Sequence, residues 1–78
     1  MTYNLFLDDE REPPDNLYCF VCRDSNEAMD LVKVNGMPLM LLLDHDLGEK
    51  DTAMLFLQWL ANVYWDGMSP IPEYSVHS

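Results

Sequence analysis

Basic residues are scarce in this sequence. Four lysines and arginines stand against 14 aspartates and glutamates, giving a formal charge of −10 and a pI near 4.1. Such a surface repels a phosphate backbone, so duplex nucleic acid is disfavoured as a partner unless a metal ion or a local basic patch intervenes. Long apolar runs are also missing, and none approaches the length of a membrane span. The opening MTYNLFLDDE has neither a basic flank nor a small-residue cleavage site, so no signal peptide is visible. Cysteine is limited to Cys19 and Cys22 in a C-F-V-C stretch. A redox CxxC needs a helix start to bring its sulfurs together, whereas LYCFVC reads as a strand, whose residues three apart face opposite ways. A zinc site would need two further ligands. Reduced, buried thiols and a cytoplasmic location are therefore expected.

What is present is an ordinary globular content, with 49% hydrophobic and 12% aromatic residues in 78. That is one domain over residues 1–78, with no room for a second and a thin core. Tyr3 to Leu7 reads as a buried strand ending at Asp8, and Pro13 and Pro14 mark the loop that follows. Tyr18 to Cys22 reads as a second strand. Asp24 with Glu27 resembles a capping box opening a helix over Ser25 to Val34, which Asn35-Gly36 stops. Leu39 to Leu43 has the length and apolar content of a central strand buried on both faces. Asp51 to Asp66 reads as a long helix closed by Gly67, Pro70 and Pro72, and Glu73 to Val76 as a last strand. No internal repeat appears. The order strand, strand, helix, strand, helix, strand predicts an α/β fold: an open, mainly parallel four-stranded sheet with two packed helices. The first connection, Asp9 to Leu17, is too short for a crossover helix, so an extended loop is expected to cross one face.

The second helix carries more apolar surface than one sheet face requires. Its polar residues are essentially Gln58 and Asn62, which with Asp66 would form one narrow stripe. Met54, Leu57, Leu60, Ala61, Tyr64 and Trp65 are candidates for an interface with a protein partner or a second copy, and the open sheet edge is another. The alternative is a helix wedged between the sheet and a neighbouring loop.

Acidic residues follow two of the strands. Asp8 and Asp9 come after the first, and Asp44, His45 and Asp46 after the third. In a parallel sheet both groups emerge at the carboxyl-terminal edge, where ligands bind in open α/β folds. Convergent carboxylates repel one another unless a cation or protons intervene, and an oxygen-rich set suits Mg2+. Asp8, Asp9 and Asp44 are the candidate metal ligands, with solvated loop acids as the bland alternative. His77 and Ser78 follow the last strand and should face the same edge. A histidine among carboxylates can serve as a general acid or clamp a phosphate oxygen, and Ser78 can offer a hydroxyl to the same oxygen, while a histidine merely hydrogen-bonded at a strand end explains His45 equally well; Asp44, His45, His77 and Ser78 are the candidate catalytic set. Arg11, in a loop of acids, can serve substrate or a salt bridge.

The stretches NLFLDDERE-PP at 4–14, RDSNEA at 23–28, LLLDHDLG at 41–48 and YSVHS at 74–78 resemble the cyclic-phosphate-processing receiver-like domain family. The resemblance covers nearly the whole chain. It implies a receiver-like, flavodoxin-like fold whose first helix is replaced by a loop. It places Asp8 and Asp9 at the receiver's magnesium-holding acidic pair, Asp44 at the acceptor aspartate, and Ser78 at the hydroxyl position. His45, Asp46 and His77 match positions characteristic of the cyclic-phosphate branch. Family members continue past the HS pair with a further strand and helix, and the receiver lysine has no counterpart here. A single incomplete receiver-like domain is therefore expected.

Three functions compete. The leading expectation is a small acidic domain that acts through protein–protein interaction, as a viral inhibitor of a host factor would. The alternative is a Mg-dependent phosphoesterase acting on cyclic phosphates of nucleotides or RNA ends. A third is a receiver accepting a phosphoryl group on Asp44.

Overall fold

The computed structural model describes residues 2–45, 47 and 52–77. Four strands, β1 (Asn4–Leu7), β2 (Phe20–Cys22), β3 (Met40–Asp44) and β4 (Glu73–His77), form one sheet. Their order is β2-β1-β3-β4, and every pairing is parallel. This order matches the first four positions of a flavodoxin-like sheet, in which the chain reverses its direction of winding between the first and third strands. No helix interrupts the path from β1 to β2, as the short first connection required.

Helix α1 (Ser25–Asn35) begins where the sequence predicts. The Asp24 carboxylate accepts the Glu27 N–H at 2.8 Å, and the Glu27 carboxylate accepts the Arg23 N–H at 2.7 Å. Gly36, with φ of 86°, closes the helix by donating its N–H to Val32 O. That conformation is one that residues with a Cβ rarely adopt.

The predicted long helix is two shorter pieces. Helix α2 covers Ala53–Trp59, and a π-helical turn continues over Leu60–Tyr64, with the Trp65 N–H bonded to Leu60 O five residues back. Asp51 lies outside the described residues. Asp66 is not part of a helical stripe with Gln58 and Asn62. Its carboxylate instead accepts the N–H groups of Met68 and Ser69 and the Ser69 hydroxyl, which hold the following turn. Those hydrogen bonds keep its carboxyl below the ordinary aspartate range.

Both helices pack on one face of the sheet. Leu5, Leu7, Leu41, Leu43 and Cys22 meet Ala28 and Val32 of α1 and Ala53, Phe56 and Leu60 of the second helical segment in a single core. β3 is accordingly backed by helices on one side only, and Leu42, on the other side, is half-buried. Burial, then the neighbouring Glu27 and Asp24 charges, push the Cys22 thiol up to about 11, which makes it a poor nucleophile. Of the predicted interface residues, Leu60 is 4% exposed and belongs to this core, because its spacing puts it on the same helix face as Ala53 and Phe56. Leu57, Tyr64 and Trp65 are half-buried, while Met54 and Ala61 are exposed. Together with Ile71, Tyr74 and Val76 of the β4 side, several of them line a largely apolar groove of about 550 Å3. Among the described residues, β4 is an edge strand of the sheet. No helix among the described residues is long and apolar enough to cross a membrane.

Replacing the N-cap of α1 by Asp24→Ala should lower stability by about 1 kcal/mol. Urea unfolding should show the shift in midpoint with an unchanged slope, since the loss is confined to the folded helix end.

Candidate metal centre at the carboxyl-terminal rim

Strand alternation assigns the site to the face that the helices leave uncovered. Leu5 and Leu7 point into the helical core, so Phe6 and Asp8 point the other way. Leu42 and Asp44 on β3 and Ser75 and His77 on β4 share that direction. Register then aligns the ends of the strands. Leu7 pairs with Leu43, and Asp44 pairs with His77. The His45 N–H donates to His77 O at 2.8 Å and continues that ladder by one bond.

Asp8, Asp44 and His77 consequently meet. One ligand atom from each lies within 4.8 Å of the other two. Asp8 is 1% exposed and Asp44 9%. His77 Nε2 sits 3.0 Å from Asp8 Oδ2, and its ring stacks on Phe6 with centroids 5.6 Å apart, so the imidazole is held from two directions. The other oxygen of Asp8, Oδ1, accepts the N–H groups of Glu10 and Arg11 at 2.9 and 3.0 Å. Burial alone would push the Asp8 carboxyl up. The two backbone donors and the His77 imidazole outweigh it and hold the group below the ordinary aspartate range.

Two buried carboxylates within reach of one imidazole form a donor set that can coordinate a divalent cation such as Mg2+. Carboxylate oxygens suit that hard ion, and a mixed carboxylate–imidazole set also admits Mn2+. The donor chemistry therefore fits the ion that the sequence suggested.

Other predicted site residues lie elsewhere. Asp9 is exposed and outside the cluster, because one residue past Asp8 the chain has turned into the loop and the acid faces solvent. His45 is exposed and joins the rim through its backbone N–H, with its side chain outside the cluster. Asp46 and Ser78 lie outside the described residues. Among the described residues Arg11 forms no salt bridge, the pairing that its acidic surroundings suggested. Among the described residues, Glu12 pairs instead with Arg23, at 3.0 Å. Arg11 and Glu12 line a small recess of about 280 Å3 with Pro14, Phe6, Leu42 and His77, on the loop-covered face beside the cluster. Sequence reading missed Arg23, whose guanidinium donates to the main-chain carbonyls of Asp8 and Arg11.

A parallel α/β sheet with acids at its switch-point rim and a loop in place of the first crossover helix defines a receiver-like domain. The sequence profile of the cyclic-phosphate processing receiver domain matches residues 3–78, and the chain belongs to that family. No curated protein and no solved structure gives a significant match.

The Asp8 carboxylate adds a pH dependence of known sign. Its folded-state pKa lies below the ordinary value of 3.8, so its contribution is complete above that value. The contribution is lost as pH falls from there through the lower folded value. Urea unfolding of the metal-free protein should therefore show an advantage over Asp8→Asn at pH 7 that shrinks below pH about 4. The same advantage at pH 7 and pH 3 would mean that the charge of Asp8 is not what the fold stabilises.

Proposed function

We propose that this domain hydrolyses cyclic phosphates, with nucleotides or RNA ends as the substrate class, at a divalent-metal site formed by Asp8 and Asp44. The observation that carries this reading is the meeting of Asp8, Asp44 and His77 at one rim, in a chain whose family is described by cyclic-phosphate processing. It is favoured over the interaction reading because the apolar groove lies on the opposite face of the sheet and uses none of these residues.

When bound, a divalent cation supplies charge neutralisation at the phosphoryl oxygens and a more acidic water. The chain's own residues supply the rest. Asp8 and Asp44 fix the position of positive charge at the rim. A water oxygen bonds to phosphorus while one of its protons passes to solvent, the bond from phosphorus to one ribose oxygen breaks, and the leaving oxygen takes a proton from His77, which solvent then restores. One nitrogen of His77 is already engaged by Asp8, and we assign Nδ1 to the leaving oxygen. Stacking on Phe6 keeps the ring from turning away. Arg11, unpaired among the described residues, borders the adjoining recess and offers a cation to an anionic substrate.

The test is turnover of 2′,3′-cyclic nucleotides with Mg2+ or Mn2+. Asp44→Ala and His77→Gln should each reduce turnover by about 100-fold or more. His45→Ala should cost less than about tenfold, since its side chain lies outside the cluster. Absence of turnover with either metal, or turnover unchanged in Asp44→Ala, overturns the assignment.

A further inference from the structure

The turn that presents Asp8 is held from two sides. On the inner side, Asp8 Oδ1 accepts the N–H groups of Glu10 and Arg11. On the outer side lies Arg23, which follows β2 and precedes the Asp24 cap of α1. Its Nη1 donates to the carbonyl of Asp8 at 3.1 Å and to the carbonyl of Arg11 at 2.7 Å. Its Nη2 donates to Glu12 Oε1 at 3.0 Å. One guanidinium thus grips both ends of the turn and the residue after it. Its own backbone is fixed as well, because the Arg23 N–H donates to the Glu27 carboxylate and Asp24 caps the helix next to it.

We propose that Arg23 is a positioning residue: its guanidinium sets the 8–12 loop so that Asp8 faces Asp44 and His77 and Arg11 stays at the recess. The consequence for metal binding rests on the reading of the site proposed above. The ion pair with Glu12 is not the main contributor. Its side chains are 37% and 75% exposed, and pairs so open to water are worth little. The bonds to the two carbonyls matter more, since they are charge-assisted and fix backbone atoms of the site itself. A lysine ammonium keeps the charge but lacks the rigid fork that serves separate acceptors from Nη1 and Nη2. Glu12 pairs with Arg23, and among the described residues no carboxylate forms an ion pair with Arg11 at the recess.

Two readouts on the full chain separate this role from general stability. The first is amide hydrogen exchange of the metal-free protein, in wild type, Arg23→Ala, Arg23→Lys and Glu12→Ala. In Arg23→Ala the Glu10 and Arg11 amides should exchange at least about tenfold faster, while Leu41 and Leu43 in the central strand change no more than the global stability requires. Arg23→Lys should fall between, and Glu12→Ala should stay near wild type. The second readout is Mn2+ affinity by titration, which should drop about tenfold in Arg23→Ala, the lower end of the range for groups that orient ligands. Unchanged exchange at Glu10 and Arg11 in a folded Arg23 variant overturns the clamp. If Arg23→Ala does not fold, Arg23→Lys carries the same test. Faster loop exchange with unaltered Mn2+ affinity overturns the link to the site. Absence of Mn2+ binding in the wild type as well overturns the metal site, while the exchange result still decides the clamp.

Discussion

The in-register parallel pairing of β1 with β3 is the constraint on which the rest depends. Leu7 lies beside Leu43, so the residues that follow them, Asp8 and Asp44, leave the sheet side by side at strand spacing of about 4.8 Å. Pairing of Asp44 with His77 adds the third member. Three residues far apart in sequence thus become neighbours at the ends of paired strands. The apolar residues just before them, Leu7, Leu43 and Val76, carry no chemistry, but the first two anchor the strand ends in the core.

Two acids brought this close and buried need compensation. Asp8 has it in full: two backbone N–H groups, an imidazole, and a turn whose outer carbonyls are held by Arg23. The anionic form is favoured against the penalty of burial, as an electrostatic centre requires. The imidazole is oriented by the same carboxylate and by the ring of Phe6, so one residue, Asp8, both fixes a charge and directs its neighbour. This division places the polar machinery on one face of the sheet and the helical core on the other.

Much of this was legible in the amino-acid sequence because apolar runs ended abruptly in acids. Tyr3 to Leu7 and Leu39 to Leu43 announced strands, and Asp8, Asp9, Asp44, His45, His77 and Ser78 were all expected at the rim. The structure trimmed the first two strands and carried the last two one residue further, to Asp44 and His77; Tyr18 is exposed, and its carbonyl accepts the Asn4 side chain rather than continuing the ladder. Period two explains why Asp8 and not Asp9 joins the cluster, but applying it required knowing which residue was last in the strand. His45 and His77 were equivalent on paper. Only the β3–β4 register decided between their side chains. The break from α2 into a π turn left no trace in composition, because Leu60 and Tyr64 suit either geometry. Arg23 was invisible for a different reason: its acceptors are chiefly main-chain carbonyls, which every residue possesses.

A sheet with a greasy side and a polar side makes alignment an all-or-none matter. Were β3 to slide by a single residue against β1, every side chain on it would exchange sides. Leu41 and Leu43 would then face the loop, and Asp44 would be driven toward the helical core, an uncompensated anion in hydrocarbon. The misfolded alternative therefore loses its apolar contacts and its acidic centre in the same step. The register of this one strand therefore holds the core and the acidic rim together.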